Sequence, residues 1–345
     1  MRILLLGATG YLGAAITPSL TAAGHHVLAA ARSPRAASSH LVEPTAADLD
    51  DPHSLASAMV GCDAVILAVG ASTDPLADHA TVTRQAVARV RRALAAARHT
   101  RVRRFLWMGC ACTAGAPTDR AVTALDELLP GASGSAFADA TWAIEAEVLA
   151  ANDPHLFTTA LLPSALIGPT DHRPTDRSPI AALLAGLPRV LVDTAFNTVD
   201  VRDVGRSVMA TLAQGRPGQR YLLGGRRTSL AELAAYLHEH HGAPMPTFIA
   251  PPFVPAHKLA NALDRLGAGR PGAALLPLYL MPADIDRTKA RVELGHVSRK
   301  LEASLDETVA SLRGRHTPTP DHPDDLGPDS APNPAGTPQT RKCAH

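Results

Sequence analysis

At 345 residues, with 33 Lys and Arg against 32 Asp and Glu, the chain is long enough for one large or two modest domains and is nearly neutral. No basic stripe interleaves with aromatics, which argues against nucleic acid or an anionic membrane as a partner. Cys62, Cys110, Cys112 and Cys343 have neither the number nor the spacing of a disulfide framework or a zinc site, and no apolar run reaches spanning length, so a cytoplasmic location is expected.

The first predicted element is a strand, Arg2 to Leu6, which runs into Gly7-Ala-Thr9-Gly10-Tyr11-Leu12-Gly13 and a helix over Tyr11 to Ala23. In this spacing Gly7 turns the chain off the strand, Gly10 lets backbone approach a pyrophosphate, and Gly13 lets the helix pack closely while its N-terminus faces the phosphates. Pro18 predicts a mild kink in that helix. Further strands are predicted at Val27 to Ala31, Ala64 to Val69, Val102 to Met108 and Phe157 to Leu162. Helices are predicted near Ser54 to Met59, Leu76 to Ala97 and Asp139 to Ala151. Continuous apolar strands separated by helices imply an α/β fold, a doubly wound parallel (Rossmann) sheet covered on both faces.

Downstream, Thr228 to His241 and Leu301 to Leu312 read as amphipathic helices, and the proline-interrupted Pro244 to Pro282 reads as irregular. The expected organisation is a dinucleotide-binding domain over 1–165, rejoined by 196–223, with a smaller substrate lobe over 166–195 and 224–315. Residues 316–345 are too rich in Pro, Asp and Gly to offset chain entropy and are expected to be a disordered tail.

The second strand ends in Ala31-Arg32-Ser33-Pro34-Arg35, where dinucleotide folds usually read the adenosine ribose. An acid there would repel a 2′-phosphate; Arg32, Ser33 and Arg35 favour NADP(H) over NAD(H). Asp48 and Leu49, and Ala68, Val69 and Gly70 after the third predicted strand, are expected beside the adenine and ribose.

With these motifs in order, the sequence resembles the extended and atypical short-chain dehydrogenase/reductase superfamily, in its NAD-dependent epimerase and dihydroflavonol-reductase-like branch. The likeness runs to about residue 313 and includes Ala47-Asp48-Leu49-Asp50-Asp51-Pro52, Gly61-Cys62-Asp63-Ala64-Val65, Leu162-Pro163-Ser164-Ala165-Leu166-Ile167-Gly168-Pro169 and Val199-Asp200-Val201-Arg202-Asp203-Val204. It implies that Pro163, Ser164, Ala165 and Leu166 lie beside the nicotinamide, and that the chain leaves for a substrate lobe after Gly168 and returns to the sheet near Val199. It also implies a catalytic Ser, Tyr and Lys, whose places are taken here by Cys110, Phe137 and Thr141.

Hydride transfer needs a positioned nicotinamide and a carbonyl, and neither depends on the missing tyrosine; the proton needs another source. A phenol beside the carbonyl can supply it. The expected activity is therefore NADPH-dependent reduction of a phenolic aromatic polyketide ketone, as in atypical reductases of antibiotic biosynthesis of the angucyclinone type. The alternatives are a catalytically silent NADPH-binding regulator or scaffold, and a reductase or epimerase with another acid drawn from Cys110, Thr113, Asp119 or Asp139. Thr141 can still bond the nicotinamide ribose.

No metal site is expected. His238-Glu239-His240-His241 ends a helix without a further placed ligand. Arg84, Arg89, Arg91, Arg92 and Arg98 read as a solvated helix face, and Trp107 and Trp142 as packing residues. Phe253, His257 and Tyr279 are available to an aromatic pocket, without a spacing that requires one.

Overall fold

The computed structural model describes residues 1–32, 40–71, 78–115, 120–128, 131–132, 134–173, 177–249 and 275–314. The expected tail, and Ser33, Arg35, Asp119, Phe253 and His257, lie outside them.

The strands are β1 (Arg2–Leu6), β2 (His26–Ala31), β3 (Val42–Ala46), β4 (Ala64–Leu67), β5 (Arg104–Met108), β6 (Phe157–Pro163), β7 (Ala165–Ile167), β8 (Val190–Val192), β9 (Ala195–Asp200), β10 (Gln219–Leu223), β11 (Arg226–Ser229) and β12 (Thr247–Ile249). The helices are α1 (Tyr11–Ala22), α2 (Pro52–Met59), α3 (His79–His99), α4 (Ala136–Ala150), α5 (Pro179–Leu184), α6 (Val201–Gln214), α7 (Leu230–His241), α8 (Thr288–Leu294) and α9 (Leu301–Leu312).

Seven strands form one parallel sheet in the order β3-β2-β1-β4-β5-β6-β10. Its strands are apolar on both sides because both sides are covered. In β1, Leu4 and Leu6 pack with Leu55, Val90, Phe105 and Val148, while Ile3 and Leu5 pack with Ile16, Leu20, Val204 and Val208. Helices α2, α3 and α4 thus cover one face, and α1 and α6 the other. Trp107 is fully buried in the first of these cores. The strand β3 has no clear apolar signal: Val-Glu-Pro-Thr-Ala is half exposed, and Pro44 is tolerated because β3 is the sheet edge.

Caps set the helix boundaries more sharply than periodicity could. The Asp78 carboxylate accepts from the Thr81 amide, so α3 starts at His79 rather than Leu76. Ser135 caps α4 through the Ala138 amide, three residues ahead of the expected start at Asp139. A reciprocal Ser229 and Glu232 box opens α7, and Gly242 closes it with φ +69°. Helix α1 continues through Pro18.

The chain's return to the main sheet is made by β10, not near Val199. There β9 pairs with β7 and antiparallel with β11 in a separate three-stranded sheet, and β8 pairs with β12. Buried ion pairs anchor this layer. Asp200 bonds Arg202 at 2.7 Å and accepts from Ser304 of α9 at 2.7 Å, while Asp203 accepts from the Arg299 amide and guanidinium. Thr308 of α9 accepts from the Gly168 amide at 2.9 Å, fixing the chain just after β7.

His296 sits inside this network, 4% exposed, with Nε2 2.7 Å from the Gly224 carbonyl and Nδ1 2.8 Å from Ser207 Oγ. Burial depresses its pKa from 6.5 to about 4. The unfolded chain therefore takes up a proton as pH falls through 6.5 while the folded one stays neutral, so stability is lost between pH 6.5 and 4, by about 3 kcal/mol. His296→Gln removes this component, and the stability advantage of wild type over the variant is expected to shrink by about that amount between pH 7 and 4 in urea unfolding. An advantage independent of pH contradicts the assignment.

Candidate active site

Neighbouring strands β1 and β4 send their connections to opposite sides, which opens a crevice at their carboxyl ends. Backbone contact closes its floor. Gly7 has φ +93°, and a Cβ there would lie 2.8 Å from the Ala68 carbonyl oxygen; a Cβ on Gly13 would lie 2.2 Å from the Gly7 carbonyl oxygen. Gly10 is the α1 N-cap, without a capping side chain, and no acid occupies the first turn. The amides at this end are thus left to a ligand, and the helix dipole favours an anionic one.

Thr9 and Gly10 are exposed at this turn, and Leu12 packs into the core. The Tyr11 side chain points elsewhere than the crevice chemistry requires. It is buried, its hydroxyl donates to the Gly168 carbonyl at 3.0 Å, and burial together with the Asp171 carboxylate pushes its pKa well up. Only its backbone is left for a phosphate.

At the adenosine end, Arg32 is exposed and makes no ion pair among the described residues. The Asp48 carboxylate accepts from the Asp50 amide at 2.9 Å and its amide donates to Ser54 Oγ at 2.8 Å, which fixes the entry to α2. Leu49 and Val69 pack against the core beside this entry, Ala68 continues β4 by bonding the Leu6 carbonyl, and Gly70 is exposed. The arginines of α3 are more engaged than a freely solvated face: Arg89 and Arg92 hold Asp50, Arg91 holds Glu147 and Arg98 holds Asp153.

At the other end a cleft of about 220 Å³ lies over the ends of β5 and β6. Its floor is Gly109, Cys110, Pro163, Ser164, Ala165 and Leu166, and Phe137 of α4 forms a wall. Arg173, Arg177, Leu278 and Met281 close it from the lobe; nothing in their spacing marks them in the sequence. Phe137 and Cys110 thus line one cleft with the 163–166 segment.

The hydroxyls and acids proposed as substitutes are mostly committed. Thr141 is 3% exposed and donates to the Phe137 carbonyl at 2.6 Å, so its proton is not free for a ribose oxygen. Thr113 donates to Glu145 at 2.6 Å, and Glu145 is held by Arg220 at 2.7 Å. Burial pushes the Glu145 carboxyl up, with Arg220 opposing. Asp139 accepts from the Gly131 amide outside the cleft. Cys110 accepts from the Cys112 amide and lies 3.9 Å from Met281 Sδ. Ser164 differs: it is 3% exposed and its Oγ has no partner among the described residues, a state that costs about 1–3 kcal/mol when a hydroxyl is buried.

Lobe and crevice are joined by side chains that the motifs did not reveal. Arg173 pairs with Asp171 at 2.7 Å and covers the Tyr11 ring at 4.4 Å from its centroid. His172 places its two ring nitrogens 3.0 Å from the carbonyls of Thr9 and Thr170. Tyr279 is turned from the cleft: its hydroxyl donates to the Val192 carbonyl at 2.9 Å, and burial pushes it up to about 12. Among the described residues no cluster of metal-ligating side chains forms, and His238, His240 and His241 bond separate partners. No described helix is long and apolar enough to cross a membrane.

The model of the NAD dependent epimerase/dehydratase family matches residues 3–224, from the first strand of the crevice to the last strand of the main sheet. The chain belongs to that family. It is thereby an NAD(P)-dependent oxidoreductase of the extended short-chain type. It is 31% identical over 257 residues to 2-alkyl-3-oxoalkanoate reductase of Stenotrophomonas maltophilia, covering 71% of this chain and 77% of the relative. It is 28% identical over 326 residues to sterol demethylase protein B of Methylococcus capsulatus, covering 91% and 99%. A nucleoside-diphosphate-sugar epimerase from Pseudomonas aeruginosa superposes with a TM-score of 0.74 at 26% identity, over 91% of this chain and 98% of the epimerase.

Proposed function

We propose that the protein is an NADPH-dependent ketoreductase acting on a phenolic aromatic polyketide ketone of the angucyclinone type. The observation that carries this reading is a cleft that brings Phe137 and Cys110 together with Pro163, Ala165, Leu166, Leu278 and Met281, with Arg173 and Arg177 also on its lining and no carboxyl among the described lining residues. Such a cleft has room for a flat aromatic ketone against its apolar residues and leaves the proton to the substrate. The relative named as an oxoalkanoate reductase supports a ketone as the reacting group.

In this reading the diphosphate rests on the turn from Gly7 to Gly13. Arg32 faces the 2′-phosphate, Asp48, Leu49, Ala68, Val69 and Gly70 border the adenosine, and Pro163 to Leu166 border the nicotinamide. The fit rests on the glycine contacts that a Cβ would fill and on the uncapped, acid-free start of α1. When bound, the reduced cofactor supplies one hydride to the carbonyl carbon. The carbonyl oxygen receives its proton from the adjacent phenol, which recovers one from solvent. The chain's part is to hold the ketone flat against Phe137 and Leu166 and to keep competing acids out.

The test is NADPH oxidation with product identification against 8-hydroxy-1-tetralone and 1-tetralone, which differ only in the phenol beside the carbonyl. Reduction confined to the phenolic ketone is expected, and the Phe137→Tyr plus Thr141→Lys variant should change its turnover by less than about threefold. Equal reduction of both ketones, or a gain of orders of magnitude on restoring the pair, points to a protein acid. Tight NADPH binding without turnover of either points to a silent scaffold.

Cofactor choice has its own check. Arg32→Ala is expected to weaken NADPH binding by about tenfold and NADH binding by less than about twofold in fluorescence titrations. Equal losses would make Arg32 a surface residue without a role in selection.

A further inference from the structure

We propose that the Ser164 hydroxyl is a catalytic hydrogen-bond donor to the carbonyl oxygen of the substrate, an assignment that rests on the ketoreductase reading. Around the cleft the other small donors are engaged, and of the two guanidiniums on its lining Arg173 is paired with Asp171 while Arg177 is exposed to solvent. Thr141 bonds the Phe137 carbonyl, Thr113 bonds Glu145, and the Cys110 thiol faces Met281 Sδ. Ser164 is 3% exposed, lines the cleft and has no partner for Oγ among the described residues. A buried hydroxyl without a protein partner is open to a bond from water or, in a cleft, from a bound molecule.

The backbone makes this donor a fixed one. Ser164 is the single residue between β6 and β7, and its amide donates to the Leu223 carbonyl of β10 at 3.1 Å. Its Cα is therefore held by the sheet rather than by a loop. It lines the same cleft as Phe137 and Cys110, and the phenylalanine has no polar atom while the cysteine offers a weak donor already facing sulfur. A hydroxyl on a backbone held in this way bonds more strongly as a carbonyl oxygen becomes an alkoxide, which is what lowers a barrier. Ser164 keeps its own proton. The hydride comes from the nicotinamide cofactor and the proton from the substrate phenol, so the hydroxyl contributes a hydrogen bond and nothing is consumed.

The experiment compares the full-length wild type with Ser164→Ala and Ser164→Cys, using 8-hydroxy-1-tetralone as substrate probe. Three quantities are read: kcat and KM, the NADPH dissociation constant by fluorescence titration, and the unfolding midpoint without ligand. Ser164→Ala is expected to lower kcat about 100-fold, to leave the NADPH dissociation constant within about twofold, and to unfold at the same temperature or higher because no bond is lost in the free protein. Ser164→Cys should fall between. An unchanged kcat with NADPH binding weakened about tenfold overturns the proposal and makes the hydroxyl a holder of the nicotinamide amide. A lowered unfolding midpoint also overturns it, since the hydroxyl then has a partner within the protein. Wild-type turnover untouched by Ser164→Ala overturns this assignment alone, whereas absence of wild-type turnover with NADPH bound overturns the ketoreductase reading and the assignment with it.

Discussion

The contact between the first strand and the first helix is so close that it admits no side chain, and the geometry of the site follows from it. A Cβ at Gly13 would stand 2.2 Å from the Gly7 carbonyl oxygen and 2.8 Å from the Ala8 Cα. Because α1 comes this near, its uncapped N-terminus opens at the crevice between β1 and β4. Helix α1 in turn packs against α6, and the ion pairs beginning at Asp200 fasten α9 beneath β7 and β9. The segment Gly168 to Arg173 is thereby pinned over Tyr11. The mouth of the cleft is set by the same constraint as the turn from Gly7 to Gly13.

Beneath the cleft, next to the apolar Phe137, lies a buried polar pair. Glu145 and Arg220 form a buried pair under the turn that carries Cys110 to Ala114, and Thr113 completes it. Breaking such a pair by removing one partner leaves a buried charge, which costs about 3–5 kcal/mol. The pair thus holds α4, β10 and the turn together while directing its charge away from Phe137. The carboxyl is raised by burial, as in many general acids, yet its oxygens are already bonded to Arg220 and Thr113. A perturbed pKa here marks structure rather than catalysis.

The cofactor crevice was legible because glycine spacing carries a backbone requirement that no other residue meets, and because two-sided burial makes parallel strands uniformly apolar. Helix starts were less so: Asp78 and Ser135 decide them through single hydrogen bonds that periodicity does not weigh. The edge strand β3, with Glu43 and Pro44, has the composition of a loop and gains its order from pairing with β2. The departures at Cys110, Phe137 and Thr141 were visible only against the family pattern. That Thr141 spends its proton on its own helix, that Tyr11 bonds Gly168, and that Ser164 Oγ has no partner among the described residues are facts of three-dimensional packing. Spacing along the chain contains no trace of them. Arg173 and Met281 reach the cleft from loops, and Leu278 from a short 3-10 helix, for the same reason.

The central claim is that the proton comes from the substrate and that the chain supplies position and a dry cleft. The most direct measurement is the pH dependence of kcat across a series of hydroxytetralones whose phenol acidity is tuned by ring substituents. If the account holds, the alkaline limb moves with the phenol, shifting to lower pH as electron-withdrawing groups make it more acidic. A limb that stays at one pH across the series would belong to a group of the protein, and would contradict the account.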